Sequence, residues 1–185
     1  ISAVLNGKCI DTSMGFTPNA GVVMGSRCGD IDASILPYIM KVTGMTPEEV
    51  DTAINKKSGL LGISGVSSDS RDVEMGAEEG NKRCILAEKM YARRVIEYIA
   101  KYYCLLGGID MICFTAGIGE NSCVTRKHII DGLKVYGIKL DEEANNTRGK
   151  EIMISTKDSS IPCYVIPTNE EVMIARDTYH LAMEK

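Results

Sequence analysis

The chain has 185 residues, 44% of them hydrophobic and 25% charged, and 21 Lys and Arg against 25 Asp and Glu give a formal net charge of −4. This composition is typical of a globular protein of about one domain, and it excludes disordered, collagen-like and coiled-coil proteins. The chain lacks the basic footprint of a general nucleic-acid-binding protein, and no apolar run approaches the roughly 20 residues that span a membrane. We therefore expect neither nucleic acid nor membrane as a partner.

The chain opens with a predicted β-hairpin. Asn6-Gly7 separates the strand-like runs Ile1–Leu5 and Lys8–Thr12, and Asn-Gly is the strongest short-range hairpin signal because both turn positions need positive φ. A glycine-rich stretch from Ser13 to Asp32 predicts loops. The start at Ile1, without methionine and directly in strand-like sequence, indicates a piece of a longer protein.

Two short helices are predicted next, around Asp32–Thr43 and over Pro47–Lys57. The second begins with Thr46 as the N-cap and Pro47 at the first helical position. Glu48 and Glu49 follow in the first turn, where acidic side chains favour the helix dipole.

A long loop and the longest helix are predicted in the middle of the chain. Ser58–Arg71 is rich in glycine and serine and predicts a loop, whose length is typical of a functional segment. Asn81–Tyr103 predicts a helix with one apolar face, which we interpret as core packing. That face consists of Ala87, Tyr91, Val95 and Ile99.

Strands alternate with helices in the second half. Met111–Phe114 predicts a strand buried on both faces, and a helix from about Cys123 to Tyr136 follows it. Ile152–Ser155 and Cys163–Ile166 predict two further strands, and Asn169–Met183 predicts a closing helix. This alternation predicts an α/β protein with a mixed sheet. No internal repeat or linker divides the chain, so we expect a single domain.

The cysteines and histidines exclude several kinds of site. Seven cysteines form no CxxC pair, and an odd, scattered set favours reduced thiols in a cytoplasmic protein. Two histidines leave few ways to build a zinc site or a Ser-His-Asp triad. His128 follows Arg126 and Lys127 on a predicted helix, where we expect it to be solvated.

The sharpest candidate site is Phe114–Ser122, in which a strand runs through a glycine turn into a helix. This arrangement points backbone N–H groups toward an anion, and we expect phosphate as the ligand. The alternative is a tight turn in which Asn121 or Ser122 merely caps the helix. A dinucleotide-binding GxGxxG motif fits poorly because Ser122 occupies its sixth position, and no Walker A motif is present.

Three other segments could carry chemistry. Arg27 lies between Gly25 and Gly29, where a guanidinium could bind phosphate oxygens; alternatively, Arg27 pairs with Asp30 in a surface turn and Asp32 caps a helix. The polar segments Ser67–Asp72 and Pro167–Glu171 each have a purely structural explanation as well. The first could simply cap a helix, and the two acids of the second could compensate a helix dipole rather than hold Mg²⁺.

Four segments together closely resemble the acetokinase family, which comprises acetate and propionate kinases. They occur in the family's order and at fitting separations, and the resemblance covers essentially the whole chain. The segments are Asp11–Pro18 (DTSMGFTP), Met24–Asp32 (MGSRCGDID), Phe114–Ser122 (FTAGIGENS) and Pro167–Glu171 (PTNEE).

The resemblance implies a ribonuclease-H-like α/β domain of the actin-like ATPase type. Residues 1–185 would be the C-terminal nucleotide-binding domain of an acetate kinase, while the N-terminal domain with its His-Leu-Gly-Asn-Gly phosphate loop is absent from the chain. It further implies reversible phosphoryl transfer between ATP and acetate, with Mg²⁺ as cofactor and ADP and acetyl phosphate as products, by a cytoplasmic homodimer. The chain alone is expected to be inactive. Propionate, or another short-chain carboxylate, stays open as the acceptor.

The resemblance also implies roles for individual residues. Arg27 matches the arginine that contacts the transferring phosphoryl group, and Glu170 matches the carboxylate associated with Mg²⁺. Two segments match nucleotide loops, although the family often has a larger residue where Ser70 stands. The nucleotide-binding residues are then Asp69, Ser70, Arg71, Gly117, Ile118, Gly119, Glu120 and Asn121.

Two functions from other classes stay open. One is a dinucleotide-binding oxidoreductase domain that uses Gly117 and Gly119, which predicts binding of nicotinamide or flavin. The other is a noncatalytic actin-like or chaperone-type module, which predicts nucleotide-dependent assembly without phosphorylation of a carboxylate. Arg27 and its flanking glycines favour the kinase.

Overall fold

The computed structural model describes residues 1–183 and begins with the predicted hairpin. Strand β1 (Ser2–Leu5) pairs antiparallel with β2 (Lys8–Thr12). Both turn residues adopt positive φ, 51° at Asn6 and 75° at Gly7, which confirms the turn signal.

The two short predicted helices are also present. Helix α1 (Ile35–Thr43) is followed by Gly44 in the left-handed conformation, and α2 (Pro47–Lys56) begins where Thr46 and Glu49 form a reciprocal capping box. The Thr46 amide donates to Glu49 Oε2 at 2.8 Å, and the Glu49 amide donates back to Thr46 Oγ1 at 3.2 Å.

The prediction of a loop over Ser58–Arg71 is wrong. The segment contains α3 (Gly59–Ser64), and α4 (Ser70–Glu78) begins at its end. Leu60 of α3 and Val73 of α4 are buried against α5, so tertiary packing overrides the weak helix propensity of glycine and serine.

The longest helix is α5 (Lys82–Leu106), which extends three residues beyond its predicted end. Asn81 caps its first turn, and Gly107 ends it in the left-handed conformation. Ala87, Val95 and Ile99 of the predicted apolar face are buried.

A three-stranded mixed sheet confirms the predicted fold class. Its strands are β3 (Ile112–Phe114), β4 (Ile152–Met153) and β5 (Cys163–Val165), in the spatial order β3-β5-β4. β5 is parallel to β3 and antiparallel to β4. The expected burial of β3 on both faces is wrong, because Cys113 is exposed between the buried Ile112 and Phe114.

Four helices complete the described chain. They are α6 (Ala116–Asn121), α7 (Cys123–Gly132), α8 (Glu142–Asn145) and α9 (Glu170–Met183). The helix predicted over Cys123–Tyr136 instead ends at Gly132 and continues as a 3₁₀ turn over Lys134–Tyr136. None of the α9 residues is buried.

The main core lies between the sheet, α5 and α7. Leu133, Ile154 and Val165 are completely buried in it, and Ile130 is 1% exposed. His128 lies on the exposed side of α7, as expected. Within residues 1–183, no helix combines the length and the apolarity that crossing a membrane would require.

Candidate functional site

The parallel pair β3 and β5 brings two of the four sequence segments to one edge of the sheet. The carboxyl ends of parallel strands lie at the same edge, which is where open α/β sheets bind ligands. The Ile166 amide extends the pairing by donating to Phe114 O at 2.9 Å. The residues that follow the two strands, Thr115–Asn121 and Pro167–Glu171, therefore start side by side.

Thr168 links these two segments through its backbone and its side chain. Its amide donates to Glu120 Oε1 at 2.8 Å. Its hydroxyl lies 2.6 Å from the Thr115 hydroxyl and accepts the Ala116 amide at 3.3 Å. The hydrogen bond from the Thr168 amide is the main reason why the pKa of Glu120 lies below its ordinary value.

The glycine turn predicted in Phe114–Ser122 takes the form of the short helix α6. Ala116 begins it with φ +58°, a left-handed conformation that is uncommon for a residue with a Cβ. Gly117 is exposed, whereas a Cβ at Gly119 would lie 3.2 Å from the Phe114 carbonyl carbon. Ser122 caps α7 by accepting the Thr125 amide, so the capping interpretation is correct for Ser122.

Arg126 anchors α6 through a hydrogen bond to its backbone. The sequence predictions did not use this buried arginine. Arg126 is 0% exposed, and its Nη1 donates to Gly119 O at 2.9 Å. Nε and Nη2 donate to Asn145 Oδ1 at 2.9 Å and Asn145 O at 2.7 Å, and Nη2 also donates to Thr147 O at 2.8 Å. Burial lowers the pKa of this guanidinium. The sequence spacing indicates that Arg126 is buried. Ile129, Ile130 and Leu133 follow it by three, four and seven residues, which places all four on the same helical face.

The segment around Arg27 is held by backbone contacts with the start of α3. The Leu60 amide donates to Met24 O at 2.8 Å, and the Leu61 amide donates to Gly25 O at 2.9 Å. This approach requires glycine at position 59, because a Cβ there would lie 2.1 Å from Met24 O and φ is +64°. Arg27 itself is exposed.

The predicted alternative for Arg27, an ion pair with Asp30, is wrong. Asp30 instead accepts the Gly21 amide at 2.8 Å and the Tyr98 hydroxyl at 2.5 Å. Burial and this hydrogen bond raise the pKa of Tyr98 to about 12. Asp32 accepts the Ser34 amide at 2.9 Å, but Ser34 is itself the N-cap of α1 and the helix has no side-chain cap, so the predicted capping by Asp32 is also wrong. Among residues 1–183, the Arg27 guanidinium has neither a hydrogen-bond nor an ion-pair partner.

The segment around Asp69 touches the segment around Arg27. A Cβ at Gly25 would lie 2.6 Å from Ser68 O, so the two backbones are in close contact. Asp69 caps α4 by accepting the Arg71 amide at 2.9 Å, and the Arg71 Nη2 lies 2.5 Å from its carboxylate. These hydrogen bonds lower the pKa of Asp69 to about 2. The capping interpretation of this segment is therefore correct.

Two contacts connect the Asp69 side of the molecule with α6. Ser70 and Ile118 line the same narrow gap of about 10 Å³, which is room for about one water molecule. The Ser122 hydroxyl, directly after α6, donates to the Glu74 carboxylate of α4. In the described part of the chain, no hydrogen bond or ion pair joins Arg27 to Glu170.

Glu170 is exposed at the start of α9, followed by Glu171, and both acids occupy the first turn as the dipole alternative predicts. Residues 1–183 contain no group of three or more His, Cys, Asp or Glu that could hold a metal ion by itself. A single free carboxylate nevertheless fits Mg²⁺ bound to a nucleotide, because such an ion is held by one or two carboxylates, phosphates and water.

Comparisons with known proteins point to one family. The model of the acetokinase family matches residues 1–176. An acetate kinase of Clostridium botulinum (strain Hall) is 56% identical over 184 residues, which cover 100% of this chain and 46% of that protein. One of Dictyoglomus turgidum is 55% identical over 185 residues, with the same coverage of both chains. The chain thus spans about half the length of the curated relatives it matches.

Solved structures agree as well. The crystal structure of Porphyromonas gingivalis acetate kinase has a TM-score of 0.93 at 42% identity, covering 98% of this chain and 46% of that chain. That of a propionate kinase from Francisella tularensis has a TM-score of 0.89 at 43% identity, covering 94% and 44%. These neighbours confirm the fold that the sequence resemblance implied.

Proposed function

The chain belongs to the acetokinase family, and from this premise we propose that it is the C-terminal nucleotide-binding portion of a kinase. The complete protein transfers the γ-phosphoryl group of ATP to acetate, giving ADP and acetyl phosphate. The N-terminal domain lies outside residues 1–185. The observation that carries this proposal is the junction of Thr115–Asn121 with Pro167–Glu171 at the carboxyl edge of β3 and β5.

In this proposal the nucleotide lies between α4 and α6. Asp69, Ser70 and Arg71 line the adenosine side, supported by the close backbone contact between Ser68 and Gly25, which brings their segment to the Arg27 segment. The exposed backbone at Gly117 lets a phosphate approach closely, since nothing within 4 Å occupies the position of its missing Cβ. Asn121 donates from Nδ2 to Gly117 O at 2.9 Å, which holds that turn in shape.

Glu170 is the proposed carboxylate for Mg²⁺. It is exposed, and residues 1–183 offer it no ion-pair partner. A Mg²⁺ ion at that position would neutralise charge on the nucleotide phosphates.

Arg27 is the proposed catalytic residue. Its guanidinium is exposed and free of partners within the described residues, so its five N–H donors are available for the oxygens of the transferring group. Charge on those oxygens develops in the transition state, and fixed positive charge there lowers the barrier. The glycine contacts of the segment hold the Arg27 backbone in place before substrate binds.

The reaction needs no general base. Acetate is already a carboxylate at neutral pH, because the pKa of a carboxylic acid lies near 4. One of its oxygens forms a bond to the γ-phosphorus as the bond from that phosphorus to the β,γ-bridging oxygen breaks, and ADP leaves with that electron pair. Catalysis then consists of positioning and electrostatic stabilisation.

The decisive experiment uses a complete polypeptide that contains residues 1–185. In Arg27→Ala we expect kcat to fall by about 10³–10⁵, as for other arginines that stabilise a transferring phosphoryl group, with nucleotide affinity changed only slightly. Arg27→Lys should recover part of the loss, because a point charge lacks the guanidinium fork. Arg93→Ala, an exposed arginine on α5, is the matched control and should leave kcat unchanged.

Near-normal kcat in Arg27→Ala would contradict the role of Arg27. A complete protein that does not phosphorylate acetate from ATP, or that binds NAD in preference to Mg-ADP in calorimetry, would contradict the proposed function. Propionate is the second candidate acceptor, supported by the propionate kinase structure at 43% identity. The ratio of kcat/KM for the two carboxylates decides between them.

A further inference from the structure

The Glu120 carboxylate is turned toward the segment that carries Glu170. It accepts the Thr168 amide at 2.8 Å, and the Thr115 hydroxyl lies 3.5 Å from the same oxygen. A nucleotide-binding loop needs N–H donors toward phosphate, whereas an ionised carboxylate is acceptor-only. The contacts of Glu120 therefore indicate a role other than direct contact with the nucleotide. Direct contact is what the family resemblance implies for this residue.

Thr168 is two residues before Glu170 and links the start of α9 to α6. No residue of α9 is buried within residues 1–183, so packing against this part of the protein does not fix its position. Its entry is connected to the sheet by the Ile166 amide on Phe114 O and to α6 by the hydrogen bonds of Thr168, while Asn169 caps its first turn by accepting the Val172 amide at 3.1 Å. Losing the Thr168 contacts would free the segment that presents Glu170.

The same threonine also stabilises the other loop. Its hydroxyl accepts the amide of Ala116, the residue with φ +58°, and contacts the Thr115 hydroxyl. A strained backbone persists only where its surroundings hold it in place. The Thr168 hydroxyl thus supports the first turn of α6. In return, the Glu120 carboxylate of α6 accepts the Thr168 amide.

We propose that Glu120 and Thr168 form a positioning pair that fixes the Mg²⁺ carboxylate Glu170 relative to the nucleotide loop 116–121. The inference rests on the proposed function and deepens it: Glu120 acts through Thr168 and touches neither nucleotide nor metal. The low pKa of Glu120 fits an acceptor that stays ionised at neutral pH. Groups that hydrogen-bond a metal ligand directly are typically worth about 10- to 100-fold in metal affinity, and we expect the lower end here because the pair acts two residues before Glu170.

The test separates metal binding from nucleotide binding in a complete polypeptide containing residues 1–185. Mn²⁺ binding to the ADP complex is measured by electron paramagnetic resonance, and metal-free ADP binding is measured by calorimetry. In Glu120→Ala and Thr168→Val we expect Mn²⁺ affinity to fall roughly tenfold. Metal-free ADP affinity should stay unchanged within about twofold in Glu120→Ala, whereas Thr168→Val also removes the hydroxyl that accepts the Ala116 amide of the nucleotide loop and should lower it.

Conservative variants and a matched control sharpen the result. Thr168→Ser keeps the hydroxyl and should restore Mn²⁺ affinity, and Glu120→Gln should restore it in part because the amide oxygen still accepts the Thr168 amide. Glu49→Ala removes the same contact, a glutamate accepting a threonine amide at 2.8 Å, from the capping box of α2. It should leave Mn²⁺ affinity unchanged.

Three outcomes would overturn the inference. An equal loss of metal-free ADP affinity in Glu120→Ala would make Glu120 a direct nucleotide ligand. Unchanged Mn²⁺ affinity in Glu120→Gln and Glu120→Ala, with both proteins folded by circular dichroism, would remove the positioning role while leaving the proposed function intact. Failure of the unmodified protein to bind Mn²⁺-ADP would overturn the proposed function together with the inference.

Discussion

Two regions of the molecule position their candidate site residues by different means. The glycine-held region, residues 21–69, fixes Arg27 through backbone hydrogen bonds and through close approaches that Gly25 and Gly59 allow. The core-held region, residues 112–166, places its loops at the end of a strand pair whose inner face is buried and packs on α7. Close backbone contact tolerates no added atom, whereas a packed core is sensitive to lost atoms. The two regions should therefore fail under opposite kinds of substitution.

The largest effect is expected from removing atoms from the core-held region. Leu133 is completely buried, and Leu133→Ala leaves a cavity between α7 and the sheet that should lower the free energy of unfolding by about 3 kcal/mol. Urea denaturation measures this loss. Val135→Ala, at a side chain that is 85% exposed, is the control and should change stability by less than about 0.5 kcal/mol. Equal effects of the two variants would show that burial does not hold this region together.

Adding one atom to the glycine-held region should have the next largest effect. Gly59→Ala puts a Cβ against Met24 O and Arg27 O, and we expect a loss of about 2 kcal/mol, since neither backbone can move freely. Gly44→Ala is the matched control, because Gly44 has φ +74° but nothing within 4 Å of the added atom. It should cost only the left-handed strain, about 1 kcal/mol. If the two variants unfold at the same urea concentration, close approach does not fix the Arg27 segment.

The smallest effect is expected at the boundary between α4 and α7. A cavity of about 270 Å³ separates these helices, and Glu74, Glu78, Glu88, Lys89 and His128 are the charged and titratable side chains that line it. Burial, followed by repulsion from Glu74 and Glu78, raises the pKa of Glu88 from 4.5 to about 7. The folded protein therefore disfavours the ionised form of Glu88.

The sign of the pH effect follows from that shift. Glu88 lowers stability progressively as pH rises from 4.5 to 7, and its full unfavourable contribution is present above pH 7. Glu88→Gln should therefore stabilise the protein by about 1 kcal/mol at pH 8, after allowance for solvent screening, and leave it unchanged near pH 4.5. Urea unfolding at both pH values tests this, with exposed Glu151→Gln as control. A stabilisation that is the same at both pH values would contradict the titration of Glu88.

Local chemical signals predicted much of the fold. Asn6-Gly7 and the Thr46 capping box each lie within a few residues of what they specify, so hairpin and helix start were found correctly. The helix α3 was missed because its stability comes from Leu60 packing on α5, far along the chain. Periodicity could suggest a buried Leu60 but could not say which surface would cover it.

The candidate site was predicted as a set of segments but not as an arrangement. Sequence patterns pointed to Phe114–Ser122 and Pro167–Glu171, and the structure brings these together. The bond between Glu120 and Thr168 spans 48 residues, and no local pattern reports a contact at that distance. Spacing indicates that Arg126 is on the buried face of α7, but it does not identify Gly119 O and Thr147 O as its acceptors.

The parallel pairing of β3 with β5 also sets an order of assembly. Parallel strands cannot be joined by a tight turn, so residues 115–162 must fold back across the sheet before β3 and β5 can pair. Closing such a long segment reduces chain entropy before the strand contacts form. The hairpin β1–β2 needs only Asn6 and Gly7 to close. A molecule whose crossover is not yet folded can therefore hold the hairpin while its two site loops remain apart. Copies whose crossover is not yet folded then lack the joined loops of the candidate site.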